Sequence, residues 1–225
     1  MNIIYAVISG NAGAGKSTIL KYLSKNMKGI FQDQIEIIDE KELYHPLFTN
    51  VFKEPNIWAF PFQLYFPLQR FTRLLAANQH YHGNKILLME RSLFEDKLFY
   101  KYYRGKGCIS AEMETTYTTL MDYFIKHTLK PNIIIHLRGV TEILLERVDF
   151  GRSTGERSIS LSKEQLQEYI SSLNALYNEW SVHASDICDK YEEFHITQVD
   201  YDVTHIADHI VKLLNEYYAS NLLVR

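Results

Sequence analysis

The sequence contains little of several features that mark other classes of protein. Its two cysteines, Cys108 and Cys188, lie far apart and form no CxxC pair, so a disulfide framework or a zinc knuckle is disfavoured and a reducing, cytoplasmic compartment is expected. No apolar run approaches the roughly 20 residues that cross a bilayer. The 24 basic and 27 acidic residues nearly balance, which argues against a protein that coats nucleic acid or an anionic membrane.

What is present indicates a globular chain. Its 225 residues are 46% hydrophobic and 23% charged, which excludes disordered and fibrous architectures. This length suits one α/β domain, and no internal repeat, low-complexity tract or Ser/Pro-rich linker marks a boundary. A single domain over residues 1–225 is therefore expected. Aromatic residues (16 Tyr, 12 Phe and 2 Trp) make up 13% of the chain, a high share for which the composition offers no reason.

Short β-rich runs alternate with longer helical patterns along the chain. This alternation predicts βαβ units and a doubly wound, five-stranded parallel sheet with helices on both faces. Ligands bind beyond the carboxyl ends of the strands in such sheets, so we expect functional residues there. The predicted strands are Ile3–Ser9, Ile35–Ile38, Lys85–Met89, Asn132–Leu137 and Phe194–Val199. The predicted helices cover Lys16–Asn26, Asn56–His82, Leu93–Arg104, Ala111–Lys126, Thr141–Phe150, Lys163–Ser185 and Val203–Tyr218.

The strongest motif is a glycine-rich segment that fits the pattern GxxxxGK[ST] directly after the first predicted strand. Glycines let backbone N–H groups converge on phosphate oxygens, and the N-terminus of the following helix adds a favourable dipole. Lys16 is expected to reach the β- and γ-phosphates, and Ser17 to offer its hydroxyl to Mg²⁺. The segment therefore predicts binding of a nucleoside triphosphate through Gly10, Asn11, Ala12, Gly13, Ala14, Gly15, Lys16, Ser17 and Thr18.

The residues that follow the second and third predicted strands suit a small kinase that acts on an alcohol. Such an enzyme needs a base near the attacking hydroxyl, a carboxylate that helps to hold Mg²⁺, and a guanidinium that balances charge on the transferred phosphoryl group. Glu40, Glu90 and Arg91 supply these three groups. A GTPase is disfavoured because the sequence has no NKxD motif to read guanine.

Three further stretches have a recognisable pattern. Trp58 to Arg70 reads W-x-F-x-x-Q-x-x-x-x-x-x-R, Glu90 to Asp96 reads E-R-S with a downstream aspartate, and Arg147 to Glu156 is a segment with arginines, glycines and serines. Together with the phosphate-binding segment, they resemble the substrate helix, the ERS motif and the arginine-rich lid of the deoxyribonucleoside kinase family. That family includes deoxycytidine, deoxyguanosine and deoxyadenosine kinases, and the resemblance covers the chain from Gly10 to about Trp180.

The resemblance implies roles in transfer of the ATP γ-phosphoryl group to the 5′-hydroxyl of a deoxynucleoside. Glu40 corresponds to the base that takes the proton from that hydroxyl. Glu90 corresponds to the residue that holds Mg²⁺ through water, and Arg91 to the clamp on the 5′ region and the moving phosphoryl. With Lys16, Glu40 and Arg91 form the expected catalytic set.

The arginine-rich lid is expected to contact the phosphates of ATP and the sugar of the acceptor. Arg147 and Arg152 correspond to phosphate contacts, and Glu156 corresponds to the residue that touches the sugar 3′-hydroxyl. The spacing within the lid differs by one residue from the commonest family pattern. The roles assigned to Arg152 and Glu156 depend on this register. Family members are commonly dimers, so the resemblance also implies a homodimer.

The base site is expected along the substrate helix. Gln63 corresponds to the residue that pairs with the base edge, and Phe62 and Tyr100 to rings that pack on the base. Arg70 and Asp96 correspond to the pair that recognises the far edge of the base in the cytosine and purine kinases. Thymidine-accepting relatives lack this pair, so a purine or cytosine deoxynucleoside is the expected acceptor. Gln63 and Arg70 are about two helical turns apart and share one face.

Two features depart from the family pattern. Phe52 stands where the family usually has a tyrosine that bonds the sugar 3′-hydroxyl, six residues before Trp58. Both rings are still expected to wall a cleft for a flat base. Pro61 and Pro67 lie inside the substrate helix, and we expect them to kink it because proline lacks an N–H donor.

Two alternatives remain open at this point. A nucleoside monophosphate kinase of the thymidylate type uses the same phosphate-binding segment, but the carboxylate of Glu40 would repel its acceptor phosphate. A non-catalytic nucleotide-binding module is the second alternative. The joint presence of Lys16, Glu40, Glu90 and Arg91 weighs against it.

Overall fold

Five parallel strands form one sheet in the structure, a computed structural model that describes residues 3–26, 34–40, 47–80, 85–153 and 161–222. In chain order the strands are β1 (Ile3–Gly10), β2 (Ile35–Ile38), β3 (Lys85–Glu90), β4 (Ile133–Gly139) and β5 (Lys190–Ile196). Their spatial order is β2-β3-β1-β4-β5, with every neighbouring pair parallel. The predicted α/β fold with a five-stranded parallel sheet is confirmed, and β1 lies at its centre.

Helices cover both faces of this sheet. They are α1 (Lys16–Asn26), α2 (Leu47–Lys53), α3 (Pro55–His80), α4 (Leu93–Gly105), α5 (Ala111–Lys126), α6 (Thr141–Ser153), α7 (Lys163–Ser181) and α8 (Thr204–Leu222), with a 3₁₀ turn at Ala184–Asp186. Among the residues that the structure describes, no helix combines the length and apolar character needed to cross a membrane.

Burial on both faces follows from the nearly continuous apolar sequence of the central strands. Successive side chains of a strand alternate between faces. Ile4 and Ile8 of β1 pack in a hydrophobic cluster that includes residues of α1, α7 and α8. Tyr5 and Val7 pack in a second cluster that includes residues of α3, α4 and α5. The sheet therefore needs helices on both sides to cover its apolar surface.

The fifth strand lies earlier in the chain than the sequence predicts. The apolar pattern predicts Phe194–Val199, whereas β5 runs over Lys190–Ile196. This strand is at the edge of the sheet and most of its residues are only half buried. An edge strand tolerates charged side chains such as Glu192 and Glu193, so the apolar run marks only the end of the strand.

The substrate helix also differs from the prediction. α3 begins at Pro55, where proline suits the first helical position, and a separate α2 precedes it. The helix runs without a break through Pro61 and Pro67, so the prolines do not interrupt it, and the kink expected at them stays a prediction. Each proline removes one backbone donor, while Phe62 and Phe66 pack this segment into the buried cluster below it. The tertiary contacts therefore outweigh the local preference.

A buried histidine in β4 makes the stability of this fold depend on pH. The Nδ1 atom of His136 lies 3.0 Å from the Ser9 hydroxyl of β1, and its ring lies near those of Tyr177 and Trp180. Burial lowers the pKa of His136 to about 4, against about 6.5 for an unfolded chain. The unfolded state therefore takes up this proton first, and stability is lost as the pH falls from about 6.5 towards 4.

Replacing this histidine should flatten the pH dependence. Between about pH 7 and pH 5, we expect the wild type to lose about 2 kcal/mol more free energy of unfolding than His136→Asn. Asparagine keeps a polar group near Ser9 but does not titrate. Urea unfolding at each pH measures the difference, in which the carboxyl groups common to both proteins cancel. The matched control is His183→Asn at an exposed position, and parallel profiles for wild type and His136→Asn would contradict the expectation.

Candidate active site

The glycine-rich segment joins β1 to α1 in a conformation that glycine adopts most easily. Gly10 and Gly13 have φ angles of 137° and 84°. A Cβ atom on Gly10 would lie 2.5 Å from the carbonyl oxygen of Leu137, and one on Gly13 would lie 2.4 Å from that of Leu144. The loop is thus pressed against β4 and α6. Its backbone and the N-terminus of α1 form the type of cradle that binds phosphate.

The two predicted magnesium ligands contact each other at the mouth of this cradle. The Ser17 hydroxyl donates to Oε2 of Glu90 at 3.1 Å, and the Lys16 ammonium lies 3.7 Å from Oε1 of the same carboxylate. One hydroxyl and one carboxylate suit Mg²⁺ when phosphate oxygens and water complete its shell. Over the described ranges, no group of three or more His, Cys, Asp or Glu side chains forms a separate metal site.

Glu40 lies two residues after the end of β2, between two arginines. Its Oε1 accepts a hydrogen bond from Nη2 of Arg70 at 2.9 Å, and its Oε2 accepts one from Nη1 of Arg91. Burial raises the pKa of Glu40, but Arg91, Arg70 and Lys16 together lower it more, to about 2. The side chain keeps 27% of its surface exposed. Glu40 is therefore an ionised carboxylate that a substrate hydroxyl can approach.

Arg91 is held in an unusual backbone conformation. Its φ angle is 61°, in the left-handed region that costs a non-glycine residue about 1–3 kcal/mol. Its N–H donates to the carbonyl oxygen of Ile8 at 3.0 Å, which ties the end of β3 to β1. The guanidinium carbon lies 4.7 Å from the centre of the Phe99 ring. These contacts direct the side chain towards Glu40.

Arg70 is buried beneath the site and bonds both Glu40 and Asp96. It has no exposed surface, and its Nη1 donates to Oδ1 of Asp96 at 2.7 Å. Gln63 lies on the same buried side of α3. Three buried atoms here, Nε of Arg70, Oδ2 of Asp96 and the Tyr117 hydroxyl, have no hydrogen-bond partner among the described residues. Because unpaired buried polar groups are unfavourable, this end is equipped to bond a polar ligand.

The structure brings the predicted aromatic residues together around one cluster. Phe62 and Tyr100 are buried in it, and Phe52 and Trp58 pack against it. The Tyr100 ring stacks on that of Tyr117 with centroids 3.9 Å apart and an angle of 7°. One face of the Tyr100 ring is therefore already covered by Tyr117.

Arg147 links the phosphate-binding segment to the chain that follows β5. Its Nε donates to the carbonyl oxygen of Gly13 at 2.7 Å, and its Nη1 donates to that of Val199 at 2.8 Å. The predicted phosphate contact thus lies beside the cradle. The Arg152 side chain and Glu156 lie outside the described residues, so the roles assigned to them stay predictions.

The sequence pattern missed three buried residues near Arg91. The Tyr177 hydroxyl donates to Oε1 of Glu95 at 3.1 Å. Tyr169 contacts Phe52 edge to face, with centroids 5.4 Å apart. Both tyrosines occupy apolar positions at helical spacing on α7, which indicates ordinary core. The sequence offers one signal, the charged Glu95, which lies three residues after the ERS motif.

Comparisons with known proteins identify relatives of this chain. The deoxynucleoside kinase family model matches residues 6–220. A deoxyadenosine/deoxycytidine kinase of Bacillus subtilis is 23% identical over 93% of this chain and 92% of its own length. A deoxyguanosine kinase of Lactobacillus johnsonii is 28% identical over 77% of the chain and 75% of its length. A deoxyguanosine kinase of Dictyostelium discoideum is 27% identical over 78% of the chain, which spans only 58% of that enzyme.

Proposed function

Because the chain belongs to the deoxynucleoside kinase family and is therefore an ATP-dependent phosphotransferase, we propose that its acceptor is a purine or cytosine deoxynucleoside. One observation carries this proposal: Arg70 bonds both Asp96 and Glu40. The same guanidinium thus connects the expected base site with the expected catalytic carboxylate. Relatives named for deoxyadenosine, deoxycytidine and deoxyguanosine agree with this choice.

The base preference follows from the polar groups at the far end of the site. Cytosine, adenine and guanine each carry an exocyclic amino group, which can donate to the free Oδ2 of Asp96. Thymine offers no amino group. A thymine base would therefore leave a buried carboxylate oxygen unpaired, and sites built to bond a substrate group reject analogues that lack it. Gln63, which is buried on the same helix as Arg70, is proposed to bond a second edge of the base.

In the proposed reaction, the chain's residues hold both substrates and accept one proton. Glu40 takes the proton of the 5′-hydroxyl as its oxygen attacks the γ-phosphorus of ATP, and the bond to the β-phosphate oxygen breaks to give ADP. Lys16 and Arg91 balance the charge on the transferred phosphoryl group. Ser17 and Glu90 are the residues that would hold Mg²⁺, which supplies further charge neutralisation. Arg147 and Arg152 are proposed to contact the phosphates of ATP.

A turnover panel tests the proposed acceptor. Deoxyadenosine, deoxyguanosine, deoxycytidine and thymidine are each supplied with ATP and Mg²⁺, and the 5′-monophosphate is measured. We expect kcat/KM for at least one amino-bearing base to exceed that for thymidine by about 100-fold or more. Thymidine as the best acceptor would refute the base assignment. Thymidine monophosphate, included as an acceptor, tests the thymidylate-type alternative. Faster transfer to it than to any nucleoside would refute the 5′-hydroxyl as the acceptor group.

Phe52 provides a separate test of sugar recognition. Its ring packs against Tyr169 and offers no hydroxyl, so selection of the 3′-hydroxyl is proposed to be relaxed or to depend on Glu156. Phe52→Tyr adds one hydrogen-bonding group. We expect it to raise the kcat/KM ratio of 3′-hydroxyl over 3′-deoxy nucleosides about two- to tenfold. The matched control is Phe194→Tyr on β5, and an unchanged ratio in Phe52→Tyr would contradict the expectation.

Three broader expectations stay predictions. They are a single kinase domain over residues 1–225, a cytoplasmic location and a homodimer. The family match to residues 6–220 agrees with the first. Sedimentation of the purified chain would test the third.

A further inference from the structure

Asn11, the second residue of the glycine-rich segment, has a buried polar side chain. Its Oδ1 accepts a hydrogen bond from the backbone N–H of Ala12 at 2.7 Å, and its Nδ2 donates one to the carbonyl oxygen of Ile170 on α7 at 2.9 Å. Because Ala12 supplies a donor and Ile170 an acceptor, only one orientation of the amide satisfies both partners. Buried amides need such partners, so this side chain is committed to the protein itself rather than to a phosphate.

The backbone carbonyl of the same residue fixes the turn that follows it. This oxygen accepts a hydrogen bond from the N–H of Ala14 at 3.3 Å and another from the ammonium of Lys16 at 3.0 Å. Lys16 is the residue expected to reach the β- and γ-phosphates. The orientation of Asn11 therefore determines both the shape of the turn and the place where this ammonium is held.

Helix α7 is a firm support for the bond from Asn11. Ile170 has no exposed surface and packs in the hydrophobic cluster that includes Ile8 of β1. One turn further along α7, Nδ2 of Asn174 donates to the carbonyl oxygen of Gly139 at the end of β4, 3.1 Å away. The core and the sheet thus fix α7 in place, and Asn11 transmits that order to the glycine-rich segment.

We propose that Asn11 is a positioning residue that holds the phosphate cradle in its ATP-binding conformation by bonding it to α7. Its side chain does not touch ATP. The segment contains three glycines, and glycine loses more conformational freedom on ordering than any other residue. A loop that is ordered before its ligand arrives does not lose this freedom on binding, so it binds more tightly. This inference rests on the proposed binding of ATP at the cradle.

Asn11→Leu keeps a side chain of similar size and removes both bonds of the amide. We expect KM for ATP to rise about tenfold. KM for the deoxynucleoside and kcat at saturating ATP should stay within about twofold, because binding is weakened equally in the ground state and the transition state. The matched control is Ile170→Val, which trims the core at the same place and keeps the carbonyl that accepts from Asn11. Its KM for ATP should equal that of the wild type.

Amide hydrogen exchange gives a readout that does not depend on activity. Without ATP, residues 10–17 should exchange several times faster in Asn11→Leu than in the wild type, and saturating ATP should remove the difference. Asn11→Ala, which removes the amide without filling its place, should show the same two effects. An unchanged KM for ATP in both variants, or a lower kcat with KM unchanged, would overturn the positioning role. A wild-type chain that binds no ATP would instead refute the cradle on which the inference rests.

Discussion

Replacing Glu40 with glutamine is expected to lower kcat by about 10²–10⁴-fold, the range that a general base contributes. Glutamine keeps the shape of the side chain, and its amide oxygen can still accept from one of the two arginines that hold Glu40. It cannot take a proton from the 5′-hydroxyl. KM for ATP should therefore change little, because the cradle is untouched. Steady-state kinetics with the best nucleoside of the turnover panel measures both quantities.

The pH profile gives a second readout for the same residue. Because Arg91, Arg70 and Lys16 hold the pKa of Glu40 at about 2, its protonation should not reduce kcat/KM until the pH falls to about 3. The matched control is Glu114→Gln, whose carboxylate forms an exposed pair with Arg104. A Glu40→Gln enzyme within about twofold of wild-type kcat would remove Glu40 as the base.

The phosphate cradle could be predicted from sequence because its determinants are local. The glycines, the strand before them and the helix after them all lie within residues 3–26. α1 starts and ends where predicted. β5 could not be placed as well, because an edge strand carries charged residues that hide its pattern. The unbroken α3 is a second case, in which buried packing overrides two prolines.

In the functional site too, local features could be predicted and long-range contacts could not. Each strand-end group was predictable by type, since Glu40, Glu90 and Arg91 follow strands that meet at one edge of the sheet. Their contacts were not, because they join residues far apart in the chain. Arg70 and Glu40 are 30 residues apart, and Tyr177 and Glu95 are 82 apart. A periodic apolar pattern does not distinguish a tyrosine that packs from one whose hydroxyl bonds a buried carboxylate.

Arg70→Leu is expected to reduce the free energy of unfolding by about 3–5 kcal/mol, because it breaks a buried ion pair and leaves a carboxylate without its partner. Arg70 bonds Asp96 at 2.7 Å and has no exposed surface, whereas Glu40 keeps Arg91. For a chain of this size, the change corresponds to a fall in Tm of about 6–20 °C. Urea unfolding followed by circular dichroism measures it.

Further substitutions test whether charge or volume is responsible. Arg70→Leu/Asp96→Leu removes the unpaired carboxylate and should recover much of the lost stability, as replacement of whole buried pairs by apolar residues often does. Arg104→Leu breaks an exposed pair with Glu114 and should cost less than about 1 kcal/mol. Burial raises the pKa of Asp96 to about 6 although Arg70 lowers it, so without Arg70 the carboxyl takes up a proton still more readily. The loss in Arg70→Leu should therefore be smaller at mildly acidic than at alkaline pH, and a loss that matches Arg104→Leu at every pH would contradict the buried charge network.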